Sequence, residues 1–177
     1  FVKSGKQSAQ LHPMGSYRSG ATPFMFFPTH SELFEFDYRD FSSVKNVTYE
    51  FYNNEDAPVN VAVGLVTSVS TIYSRERMTI EYQPLQSGWN TVTYEVNVSA
   101  LAINADVTKI EGVYVAFENA KTDKEENAPD IYLDDVVIHY HSEKQEVKNL
   151  IDLKEKEYLD FESDWQEFVV SRRGTDS

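Results

Sequence analysis

The chain has 177 residues, a formal charge of −13 and no cysteine, with 41% hydrophobic and 14% aromatic residues. That composition suits one globular domain rather than a disordered chain, while the acidic balance argues against nucleic acid and anionic membrane surfaces, which call for a Lys/Arg surplus. Without cysteine there are no disulfides, thiolate nucleophiles or zinc–thiolate centres, and no apolar run approaches the roughly 18 residues of a membrane-spanning helix.

The chain begins at Phe1 without a methionine and reads as a piece of a longer protein. Ser8–His12 and Phe24–Phe27 are predicted short strands, separated by a Gly-Ser-Tyr-Arg-Ser-Gly turn at 15–20. From Phe34 to Tyr140 apolar and polar residues alternate with period two. The apolar phases are Phe34, Phe36 and Tyr38; Val47, Tyr49 and Phe51; Val59, Val61, Val63 and Leu65; and Met78, Ile80 and Tyr82. They continue with Val92, Tyr94, Val96 and Val98, then Val113, Val115 and Phe117, and last the stretch 131–140. Turn-forming residues separate them at Asn53-Asn54-Glu55-Asp56, Gln86-Ser87-Gly88 and Asn119–Asp130. Strands at this spacing, with no helical pattern between them, predict an all-β antiparallel sandwich or barrel, the sandwich being the module expected over 1–141. Each strand would keep one face apolar and one wet.

Residues 142–157 break the alternation. Ser142 and Gln145 have capping-box spacing, and Val147, Leu150 and Ile151 fall at helical intervals, so a short helix or a charged linker is expected there. In the tail, Phe168-Val-Val-Ser-Arg-Arg parallels Phe1-Val-Lys-Ser-Gly-Lys, which suggests a tandem repeat. Residues 158–177 then read as the opening strand of a repeated module. That strand would complete the sandwich within the chain or by exchange in a strand-swapped homodimer.

The stretch Ile131–Tyr140 is the most informative, because a buried strand has little use for the adjacent carboxylates Asp134 and Asp135. An unpaired carboxylate in apolar surroundings costs several kcal/mol, so the pair implies a cation, a hydrogen-bonded turn or a strand end that surfaces. Calcium takes six to eight oxygen ligands and suits such a pair. Trp89, just ahead of an alternating strand, reads as core packing or as a cap at the edge of the core. Tyr17 and Arg18 in the 15–20 turn, Arg75 and Arg77 on the wet phase before Tyr82, and Tyr114 between Val113 and Val115 are the candidate ligand-binding residues. His139 and His141 share one side of a strand and read as ordinary boundary histidines. No Gly-x-Ser-x-Gly elbow, phosphate-binding glycine loop or His-Glu-x-x-His occurs, so a non-catalytic protein is expected.

Four segments carry a family resemblance. Ser4-Gly-Lys-Gln-Ser-Ala-Gln-Leu11 looks like a second-strand entry, Gly88-Trp-Asn-Thr-Val-Thr-Tyr94 a mid-domain Trp strand, and Ile131-Tyr-Leu-Asp-Asp-Val136 a final strand. Asp160-Phe-Glu-Ser163 is similar to an opening strand displaced to the C-terminus. In this order they resemble the jelly-roll carbohydrate-binding modules of secreted glycoside hydrolases and bacterial surface proteins. The resemblance implies polysaccharide or another glycan as the partner, an extracellular or bacterial cell-surface location, and a structural calcium where Glu162 meets Asp134, with Asp135 beside it. The alternative is a structural or adhesive spacer module of the same fold without a sugar site.

Overall fold

The computed structural model describes residues 3, 8–11, 13, 24–33, 35–67, 81–118, 128–141 and 148–149, the side chains of 24, 26, 148 and 149 aside. The strands are β1 (Ala9–Leu11), β2 (Phe24–Pro28), β3 (His30–Ser31), β4 (Phe36–Asp37), β5 (Val44–Asn53), β6 (Val59–Val66), β7 (Gln83–Leu85), β8 (Gly88–Glu95), β9 (Gly112–Phe117), β10 (Ile131–Tyr140) and β11 (Lys148–Asn149). One short helix, α1 (Val98–Leu101), lies between β8 and β9. Among the described residues no helix is long and apolar enough to cross a membrane.

Two antiparallel sheets follow from the alternation. The first runs β1-β10-β5-β8, with β11 also on β10; the second runs β2-β9-β6-β7. The pairs nest in sequence: β1 with β10, β2 with β9, β5 with β8 and β6 with β7. A long hairpin rolled up in this way is the jelly-roll arrangement of an all-β sandwich. The core lies between the sheets, where Val47, Tyr49, Phe51, Leu133, Val136 and Ile138 of the first meet Met25, Phe27, Val61, Leu65, Val113 and Phe117 of the second. Phe51 and Phe117 meet edge to face at 6.4 Å and 81°, joining the two layers. Each such side chain contributes about 1.5–3 kcal/mol by leaving water.

A polar clip reinforces the seam. Asn53, fully buried at the end of β5, donates through Nδ2 to the carbonyls of Ala57 and Leu85, and its Oδ1 accepts from the Glu55 amide, each at 3.0 Å.

Three expectations change in detail. The strand read as Val92–Val98 ends at Glu95, because the Asn97 side chain accepts from the Ala100 amide at 3.0 Å and caps α1. The stretch around Phe34–Tyr38 keeps only β4, which pairs with β3 in a small hairpin. Within 142–157, Lys148–Asn149 is extended rather than helical and pairs with Val137 and Ile138, at the β10 edge beyond β1. That edge carries backbone groups a strand satisfies and a helix would not. The turn at 15–20, residues Met78–Ile80 and the proposed repeat strand at 158–177 lie outside the described residues.

Candidate functional site

Strand parity builds a site on the outer face of the first sheet. With Val47, Tyr49, Phe51 and Val92 turned inward, the alternate residues of β5 and β8 turn outward, and register aligns them in rows across the strands. One row runs Gln10, Tyr132, Tyr52, Trp89. The next runs Asp135, Glu50, Thr91, then come Val137, Thr48, Thr93 and finally His139, Asn46, Glu95.

The first row is aromatic. Tyr52 stands 5.2 Å from Trp89 and 6.4 Å from Tyr132, with both pairs of rings at 67°, so the surface is ridged rather than flat. Trp89 is 38% exposed, which corrects its reading as core packing. The reason is parity: Trp89 lies three residues before the inward Val92, an odd number, and so takes the wet phase of β8. Counting back from Val92 would have found it. Tyr132 hydrogen-bonds Asp130 at 3.5 Å, and Asp130 also accepts from Gln10 and Asn54, which ties that end of the row to the β5–β6 loop.

Asp134 and Asp135 owe their place to a β-bulge. The β10–β5 register steps from Leu133 opposite Phe51 to Asp135 opposite Glu50, leaving Asp134 as the extra residue. Asp134 is fully buried, and its Oδ2 accepts the Lys3 backbone amide at 3.0 Å. Asp135 and Glu50 would repel as directly opposed carboxylates, but Glu50 is engaged on both oxygens. Lys3 Nζ stands 2.7 Å from Oε2, and the Thr91 hydroxyl donates to Oε1 at 2.7 Å. The same ammonium lies 5.7 Å from the Trp89 ring centroid, within cation–π range. Sequence reasoning missed Lys3, Glu50 and Thr91, because only the fold brings residues 3, 50, 91 and 134 together.

Three carboxylates are assigned to calcium. Asp134 and Asp135 are adjacent in the bulge, while Glu162 lies outside the described residues. Among the described residues no group of three His, Cys, Asp or Glu side chains is placed to hold a metal ion.

Of the residues assigned to ligand, Tyr17, Arg18, Arg75 and Arg77 lie outside the described residues. Tyr114 alternates with the inward Val113 and Val115 as expected, yet it is only 3% exposed and offers a ligand little surface. Burial pushes its hydroxyl up to about 12, with Tyr94 and Tyr82 adding to the effect. His139 bonds the Thr48 hydroxyl through Nε2 at 2.8 Å, and burial with nearby Lys45 lowers its pKa. Both observations fit a boundary histidine.

No family model matches the chain, and no curated protein matches it. Among solved structures, a chain from the X-ray structure of Tomato aspermy virus is similar at 11% identity and a TM-score of 0.40, over 84% of this chain and 87% of that one. A likeness of that size carries no argument about function.

Proposed function

We propose that the chain is a non-catalytic carbohydrate-binding module of a secreted or bacterial cell-surface protein, taking glycan on the outer face of its first sheet. The observation that carries this reading is the row Tyr132–Tyr52–Trp89. Pyranose rings present C–H faces that pack against aromatic rings, and hydroxyls that need planar or hydroxylated partners. Here the partners flank the rings: Gln10 at one end of the row, and Glu50 and Thr91 in the next. Tyr17, Arg18, Arg75 and Arg77 stay with this reading as candidate ligand contacts, whereas the buried Tyr114 gives up its place to Tyr52 and Trp89. Asp135, Glu50 and Glu95 give the face a negative charge that disfavours uronic acids and sulfated sugars.

Calorimetric titration with soluble oligosaccharides, guided by a glycan array, tests the reading. Trp89→Ala and Tyr52→Ala are each expected to weaken binding at least about tenfold, as central aromatic anchors do. Wild-type protein that binds no glycan overturns the reading and favours the spacer module.

A further inference from the structure

We infer that the ligand carries a free amine, as in a glycan of deacetylated hexosamines, and that Lys3 occupies its ammonium site in the unbound protein. This rests on the glycan-binding reading of the sheet face and narrows it.

The site is already built around a cation. Lys3 Nζ lies over the Trp89 ring at 5.7 Å and against Glu50 Oε2 at 2.7 Å. Glu50 is held for this contact from its other oxygen, where the Thr91 hydroxyl donates at 2.7 Å. Trp89 is braced by Tyr52, whose ring stands 5.2 Å away at 67° to it. An aromatic face and an oriented carboxylate are the two elements that recognise an ammonium group, and neither needs the rest of the lysine.

The occupant is displaceable. The Lys3 side chain is 47% exposed while that of Glu50 is 17% exposed, so the anion is the sheltered partner and the cation the accessible one. Ion pairs with an exposed partner contribute about 0–1 kcal/mol, so an amine held additionally by stacking of its own sugar ring can replace Lys3. The Lys3 amide on Asp134 at 3.0 Å would keep the backbone in place while the side chain swings out. Lys3 then acts as a tethered competitor, lowering affinity for an amine-bearing ligand and leaving a neutral one less affected.

The test compares three hexamers by calorimetry at mildly acidic pH and low salt: glucosamine, N-acetylglucosamine and glucose. The unsubstituted 177-residue chain is expected to prefer the glucosamine hexamer. Lys3→Ala and Lys3→Met should each tighten that hexamer about three- to tenfold with little change for the other two. Glu50→Gln, which keeps the shape and a partner for Thr91, should weaken it about tenfold and remove its preference over the glucose hexamer; circular dichroism melts confirm folding of each variant. If the three hexamers bind alike, or if both Lys3 variants leave the glucosamine affinity unchanged or weaker, the amine inference fails while glycan binding stands. If no hexamer binds to wild type or to any variant, the amine inference fails, and the glycan array separately decides the glycan-binding reading: a hit on another sugar keeps it, and no hit overturns it.

Discussion

Tyr114 lies directly over Gly64, its cross-strand partner, so closely that a Cβ at residue 64 would sit 2.6 Å from the ring's Cε1. The glycine is therefore a steric requirement of the β6–β9 pair, since the ring fills the space a side chain would take. Gly64→Ala must push aside a ring that is itself 3% exposed. The substitution is expected to destabilise the protein by about 1–3 kcal/mol, the usual cost of overpacking. Urea denaturation measures this, and the double variant Gly64→Ala with Tyr114→Ala should show a smaller loss than the two single losses added.

The same burial makes the protein sensitive to alkali. A hydroxyl whose folded pKa lies above its unfolded value of 10.0 stabilises the fold fully below that value. The contribution is lost as pH rises through the folded value, about 12 for Tyr114. Tyr49, fully buried, is shifted upward in the same direction by desolvation, with Tyr114 and Tyr94 adding to it. Ultraviolet titration should therefore find a set of tyrosines that ionise late, together with unfolding. Tyr114→Phe should make the fall in melting temperature above pH 10 shallower; an equal slope in both proteins would show that Tyr114 ionises without penalty.

The sandwich was legible because period-two patterning reports which face of a strand is buried, as Val47, Tyr49 and Phe51 illustrate. Its details were not, because they depend on contacts between distant residues. The bulge at Asp134 needs the β5 register, and the early end of β8 needs the Asn97 cap, which outweighs the β-preference of Val96 and Val98. Trp89 was within reach by counting from Val92, but an aromatic beside a strand invites a core assignment. Tyr114 failed in the opposite sense: its wet-phase position is buried, because β9 is covered on both faces. Lys3 carried no local signal of any kind.

The calcium proposed at Asp134, Asp135 and Glu162 has a direct thermal test. A ligand that binds only the folded state raises its stability by mass action, so exhaustive EDTA treatment should lower the melting temperature by several degrees and added calcium should restore it. Asp134→Asn should abolish that response while keeping an acceptor for the Lys3 amide, which bonds Oδ2 at 3.0 Å. A melt unchanged by chelation removes the ion and leaves the bulge and Lys3 as the explanation of the acidic pair.

Asn53 shows where polar satisfaction, rather than apolar burial, holds the seam. Its side chain meets two carbonyls and one amide, and Leu85, whose carbonyl is one of the two acceptors, belongs to the opposite sheet. Leucine has nearly the same volume and would add apolar contact in a fully buried position. A purely hydrophobic account would then expect Asn53→Leu to be neutral or stabilising. The hydrogen-bond account expects the reverse, because leaving a buried backbone group without its partner costs about 1–3 kcal/mol. With up to three groups affected, the loss should reach about 3 kcal/mol or more by urea denaturation, and Asn53→Asp should be no milder, because it keeps the acceptor for the Glu55 amide but sets a carboxylate oxygen against the two carbonyls. A Leu variant as stable as wild type would mean that water reaches these groups and that the clip is incidental to the fold.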